Sequence, residues 1–102
     1  KLKTVLGGSV KTFNFGPSQP RRIGIITGAV GSEIYRVAES KIDTFITGEA
    51  PHWAAVAAEE LGINLVLGGH YATETFGVKA LASLLSERFN VPWEFLSCPT
   101  GL

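Results

Sequence analysis

His70 and Glu74 stand four residues apart in the segment Gly68-Gly69-His70-Tyr71-Ala72-Thr73-Glu74. On a helix this spacing stacks the two side chains on one face, where an imidazole and a carboxylate can converge on one cation. The same spacing suits a hydrogen-bonded pair that caps the helix start, and a two-residue motif does not separate the two readings. Gly77 continues the face, either admitting a close approach or serving as a helix-packing notch. A second group, Glu49 and His52, follows Gly48. Glu49 could complete a metal site, orient a ligand or act as a general acid/base, or simply lie near a positive helix N-terminus. His52 is expected to sit half exposed in the first turn of that helix, without a chemical role. A catalytic metal centre generally takes about three protein ligands and an open position, so His70 and Glu74 alone fall short of one.

Other residues with chemical potential have plainer uses. Gly28 and Gly31 with Ser32 could present N–H groups and a hydroxyl to a phosphate, but the segment is neither a full G-x-G-x-x-G nor a Walker loop. A tight strand-to-helix turn with Ser32 as N-cap explains it without a ligand. Cys98, beside Pro99, has no base near it in sequence and is expected to be core, as are Trp53 and Trp93. No G-x-S-x-G nucleophile elbow occurs.

The elements that must position these residues follow from period and punctuation. Val10 to Phe15 reads as a strand, followed by the turn segment Gly16-Pro17-Ser18-Gln19-Pro20. Residues 22–27, 43–47 and 64–67 are short β-branched or apolar runs, each ended by glycine, the pattern of buried parallel strands. Between them Ile34, Val37 and Ala38 predict one helix face, and Trp53, Val56, Ala57 and Leu61 another, with Pro51 in the first turn and Gly62 as the stop. A longer helix is predicted from about Ala72 to Phe89, with the stripe Val78, Leu81, Ala82, Leu85 and Phe89. Asn90 and Pro92 would end it, and Trp93 to Ser97 would add a last strand. The order β-α-β-α-β-α-β implies an α/β fold: a mostly parallel sheet with right-handed crossovers and helices on its faces. Residues 1–102 are read as a single domain in which 1–21 form a strand and an irregular lead-in. In such sheets ligands bind beyond the carboxyl ends of the strands. The loops at Gly28–Ser32, Gly48–His52 and Gly68–Glu74 would open there, and they hold both histidines of the chain.

Composition bounds the function. With 45% hydrophobic and 18% charged residues among 102, the chain can build a core. Lys+Arg and Asp+Glu balance at 9 each, so no overall field favours nucleic acid or anionic membrane. The single cysteine excludes an intramolecular disulfide framework and fits a reducing cytoplasm. No apolar run approaches the roughly 20 residues of a membrane span. The chain begins at Lys1 and lacks methionine, which suggests a partial chain.

Gly68-Gly69-His70-Tyr71-Ala72-Thr73-Glu74-Thr75, with Gly77-Val78-Lys79-Ala80-Leu81, closely resembles the C-terminal signature of the Nif-three-like family. Asp43-Thr44-Phe45-Ile46-Thr47-Gly48-Glu49 is similar to the family's D-x-x-I-T-G-E segment, and Pro99-Thr100-Gly101-Leu102 to its ending. The resemblance covers most of the chain from Ile23 onward. It implies one lobe of a two-lobed α/β protein that binds a pair of divalent metals in a cleft and assembles into dimers and toroidal hexamers. Many members carry the label GTP cyclohydrolase I type two. The family's C-terminal ligands, a histidine and a glutamate with three residues between them, fall on His70 and Glu74; its other ligands belong to an N-terminal half that has no counterpart here.

The resulting expectation is a metal-binding lobe of a dinuclear metal-dependent hydrolase. His70 and Glu74 would be ligands, Glu49 an orienting or acid/base residue, and the metal zinc, iron, manganese, nickel or cobalt. The expected partners are a nucleotide or other phosphate-bearing small molecule and further copies of the chain, with neither membrane nor nucleic acid. The alternative is a non-catalytic assembly or regulatory scaffold whose metal is structural or absent. A metal-free nucleotide-binding lobe built on the Gly28–Ser32 loop is the third reading.

Overall fold

The structure, a computed structural model, describes residues 1–100. Strands β1 (Lys11–Phe13), β2 (Ile23–Ile25), β3 (Thr44–Thr47) and β4 (Asn64–Leu67) form one sheet in the order β1-β4-β3-β2. β2, β3 and β4 are parallel, with Phe45 opposite both Gly24 and Leu65, and β1 joins β4 antiparallel. Helices α2 (Ile34–Glu39) and α3 (His52–Leu61) form the two crossovers, and α4 (His70–Phe89) leaves β4 after two glycines. The expected α/β fold with a mostly parallel sheet is therefore present. Its strands lie within or match the predicted runs, and α3 stops at Gly62 and α4 at Asn90 in left-handed conformation, as predicted.

The core lies between one face of the sheet and the two crossover helices. Ile34, Phe45 and Leu65 are fully buried there, with Val37, Ala54, Ala57 and Ala58 against them. The α3 prediction needs correcting at this point. Trp53, Val56 and Leu61 are 39–47% exposed, and the Ala54, Ala57 and Ala58 side faces the sheet. Small side chains let the helix axis approach Phe45 and Leu65 closely, and the larger ones are left outside. Trp53 instead stacks on Tyr35 at the surface, with ring centroids 6.3 Å apart.

Three further expectations are overturned. Trp93 to Ser97 forms no strand. The outer edge of β4 is taken by β1, so this segment runs beside α4 instead: Phe95 lies under Lys79, and the Cys98 N–H donates to the Tyr71 hydroxyl. Trp93 and Cys98 are consequently exposed rather than core. The predicted α4 stripe is also exposed, with Val78, Leu81, Leu85 and Phe89 at 42–61%, because no other strand or helix of the described residues packs closely along α4. The lead-in contains a short helix, α1 (Leu2–Leu6), that no sequence pattern announced. Gly101 and Leu102, the end of the family-like terminal motif, lie outside the described residues.

A polar network fastens the lead-in to the amino ends of the strands. Asn64, 7% exposed, accepts from the Gly16 N–H and donates to the Pro17 carbonyl and the Thr44 hydroxyl. Thr44 donates onward to Asp43, whose other oxygen takes the Arg21 and Arg22 N–H groups. Partial desolvation pushes the Asp43 carboxyl up, but these donors together hold it below its ordinary value. Asn64→Ala strips three bonds and leaves the Gly16 N–H without an acceptor. Urea unfolding should show a loss of about 2–3 kcal/mol, and a loss within error would mean the lead-in is held by other contacts.

Candidate metal site

The three loops expected at the carboxyl ends of the parallel strands do come together, and backbone hydrogen bonds draw them there. The Gly28 carbonyl accepts from the Gly48 N–H, the Glu49 N–H and the Thr47 hydroxyl. The Gly28 N–H in turn donates to the buried Thr73 hydroxyl on the first turn of α4, at 3.1 Å. Gly28 has φ +75°, a left-handed conformation that glycine adopts without strain. A Cβ at that position would lie 2.6 Å from Glu74 Oε1, so the absent side chain is what makes room for the carboxylate. Gly48 is similarly confined, its missing Cβ facing the Gly28 carbonyl, the Thr73 hydroxyl and the His70 Cα.

Glu49, His70 and Glu74 meet over this knot. His70 Nδ1 lies 2.9 Å from Glu49 Oε1, and Nε2 lies 3.2 Å from Glu74 Oε1. The Glu49 carboxylate hydrogen-bonded to Nδ1 raises the His70 pKa above its ordinary 6.5. Partial desolvation works in the opposite direction, and the negative charge of Glu74 adds to the rise. The favoured protonated form is an imidazolium donating from both nitrogens.

The donor set fits a divalent cation at one edge of the ring. Two ligand atoms about 2.1 Å from a shared cation, at an angle near 100°, stand about 3.2 Å apart, which is the separation of Nε2 and Glu74 Oε1. A cation there would replace the Nε2 proton. Glu49, on the other nitrogen, would then orient the ring and enrich its donor character. Because Glu49 faces away from that point, only two donors converge on it. Among the described residues no group of three or more His, Cys, Asp or Glu is placed to hold a metal ion.

The remaining candidates separate from this cluster. His52 is exposed at the start of α3, preceded by Pro51 in the N-cap position, and contacts none of the three. Gly77 is no packing notch within the chain, since a Cβ there would meet open space. Ser32 is not a helix N-cap but lies within a 3-10 turn, Gly31–Glu33, ahead of α2. The Gly28–Ser32 loop leaves no cradle for a phosphate at Gly31: its N–H donates to the Glu49 carbonyl, and an added Cβ would fall on Ala50. Thr73 is the functional-site residue that sequence reasoning passed over. Its only signal was a threonine between the two candidate ligands, on a face turned toward the sheet.

Comparison with known proteins identifies the family of the chain and bears out its fold. The model of the family described as Duf34/NIF3 (NGG1p interacting factor 3) matches residues 1–100. The chain belongs to this family. A GTP cyclohydrolase 1 type 2 homolog from Pyrococcus abyssi is 43% identical over 93 residues, and one from Deinococcus radiodurans 40% over 102. The chain spans only 37% and 39% of their lengths. Among solved structures, a protein from Thermus thermophilus superposes with a TM-score of 0.87 at 38% identity, over 99% of this chain and 40% of that one. The protein ybgI, of unknown function, gives 0.90 at 31%, over 97% and 40%. Reduced HcgD from Methanocaldococcus jannaschii gives 0.73 at 30%, over 83% and 35%. This Duf34/NIF3 chain thus corresponds to one part of longer relatives. No helix among its described residues is long and apolar enough to cross a membrane.

The charge arrangement makes a measurable prediction for the metal-free chain. Because the folded pKa of His70 is raised, its contribution to stability is complete below the ordinary 6.5 and is lost as pH rises through the folded value. NMR titration of the His70 ring should report a midpoint above the ordinary 6.5, and Glu49→Gln should lower it. A midpoint at or below 6.5 would contradict the three-residue cluster.

Proposed function

We propose that this chain is the metal-binding lobe of a dinuclear metal-dependent hydrolase, in which His70 and Glu74 ligate a divalent cation and Glu49 fixes the imidazole. The supporting observation is the single arrangement of Glu49 on Nδ1 and Glu74 facing Nε2 across 3.2 Å. A mixed imidazole and carboxylate set suits zinc, iron, manganese, nickel or cobalt. When bound, such metals act as Lewis acids and lower the pKa of water toward neutrality. With a metal in place, Glu49 on Nδ1 would hold His70 in the tautomer that ligates through Nε2, and its second carboxylate oxygen would be available to exchange a proton with a substrate group. Further ligands would come from the part of the longer relatives to which this chain does not correspond. The name GTP cyclohydrolase 1 type 2 homolog, borne by the Pyrococcus and Deinococcus proteins, favours a nucleotide or other phosphate-bearing substrate. A cytoplasmic location belongs to the same reading, since Cys98 is a free, exposed thiol.

Elemental analysis tests the ligand assignment. His70→Ala combined with Glu74→Ala should abolish bound metal, and Glu49→Gln should weaken metal affinity by about 10–100-fold. Unchanged metal content in the double variant would refute it. Bound metal without metal-dependent hydrolysis of nucleotides or phosphate esters would favour a structural metal in a scaffold.

An assembly role has its own support. The chain exposes 7101 Å², whereas a globular monomer of its 10.9 kDa mass would expose about 5600 Å². Much of the apolar part lies on α4 and just beyond it, at Val78, Leu81, Leu84, Leu85, Phe89 and Leu96. Patches of this size mark interaction surfaces, and we propose that further copies of the chain cover this one in a dimer or hexamer. Light scattering should find an oligomer that Leu81→Glu with Leu85→Glu converts to monomer. A monomeric unsubstituted chain would exclude that arrangement.

A further inference from the structure

Next to the His70/Glu74 stripe of α4 runs a second stripe, Tyr71, Thr75 and Lys79, at the same four-residue spacing. It forms one wall of a cleft of about 380 Å³, whose other walls are the Gly7–Ser9 turn, the Gly68–Gly69 loop and the segment from Phe95 to Pro99. A volume of this order accommodates a small organic molecule. We infer that this cleft is a binding site for a small organic oxyanion, an aryl phosphate or aryl carboxylate, read by the Lys79 ammonium and the Tyr71 hydroxyl.

The chemistry of the lining argues for an anion. It contains one cation, Lys79, and no acidic residue. None of the ion pairs among the described residues uses Lys79. Its ammonium instead lies 4.2 Å from the Phe95 ring centroid, a cation–π contact that holds the charge at the cleft without neutralising it. The Tyr71 hydroxyl already accepts the Cys98 N–H at 2.8 Å, which occupies one of its lone pairs and leaves its hydrogen to offer. Ser9 and Ser97 add two further hydroxyls. Lys79 can only donate and the hydroxyls can donate as well, so acceptor oxygens are what the polar end would recognise. The Phe95 and Tyr71 rings supply flat apolar walls, which suits an aromatic body attached to the charged group.

This inference does not depend on the metal assignment, because its residues occupy a different face of α4, and the test is run with chelator present. Calorimetric titration of the full chain with phenyl phosphate, in EDTA, should show saturable single-site binding; benzoate distinguishes a carboxylate ligand from a phosphate one. Lys79→Gln should weaken binding about tenfold or more, and Lys79→Arg, which keeps the charge, should retain most of it. Phenol, with the ring but not the charge, should bind at least tenfold more weakly. Circular dichroism confirms that each variant is folded. Absence of saturable binding to both anions, equal affinity in folded Lys79→Gln, or phenol binding as tightly as phenyl phosphate would each overturn the proposal.

Discussion

The hydrogen bonds around Gly28 are the constraint on which the candidate site depends. One peptide unit and its neighbour tie three separate loops: the Gly28 carbonyl takes N–H groups from Gly48 and Glu49, while the Gly28 N–H is taken by Thr73 of α4. Gly28, Gly48 and Thr73 are buried, and a buried polar group without a partner is costly, so the three strand ends are held in one mutual arrangement. Glu49 arrives beside the imidazole because its own N–H is anchored to Gly28. His70 and Glu74 arrive from the other side because Thr73, between them in sequence, is anchored to the same glycine.

This arrangement explains the electrostatics of the cluster. Two carboxylates placed at opposite edges of one ring favour its protonated form, so a cation at Nε2 would have to displace that proton. The carboxylate on Nδ1 gives the ring its direction, and the carboxylate near Nε2 is the second donor of the candidate site. A site made this way is open on its remaining sides. That openness is consistent with a chain that spans about two fifths of its relatives' length.

The same partial character is visible in the packing. The Phe45 and Leu65 face of the sheet is sealed by α2 and α3, whereas Ile23 and Ile25 of β2 and most of the apolar positions on α4 remain exposed. Apolar area of this extent is a source of binding free energy whenever a complementary surface meets it. The fold thus divides into a closed core that positions the three loops and an open periphery suited to association.

The sequence by itself determined the local elements and the placement of the candidate chemistry. The β4 run 64–67, the stops at Gly62 and Asn90, and the gathering of both histidines into strand-end loops are local in origin, arising from side-chain periodicity and backbone preference. The tertiary structure alone decided which surface of each element faces inward. It turned the alanine side of α3 to the sheet instead of Trp53, Val56 and Leu61, because closeness of approach, not hydrophobicity, set that interface. It left Trp93–Ser97 without a strand and set it beside α4, because strand pairing is a property of two segments. It also joined Glu49 to His70, which are 21 residues apart, through contacts at Gly28 and Thr73 that no spacing rule encodes. Ligand types are written in the chain, but their convergence depends on long-range backbone bonds, which only the folded molecule makes.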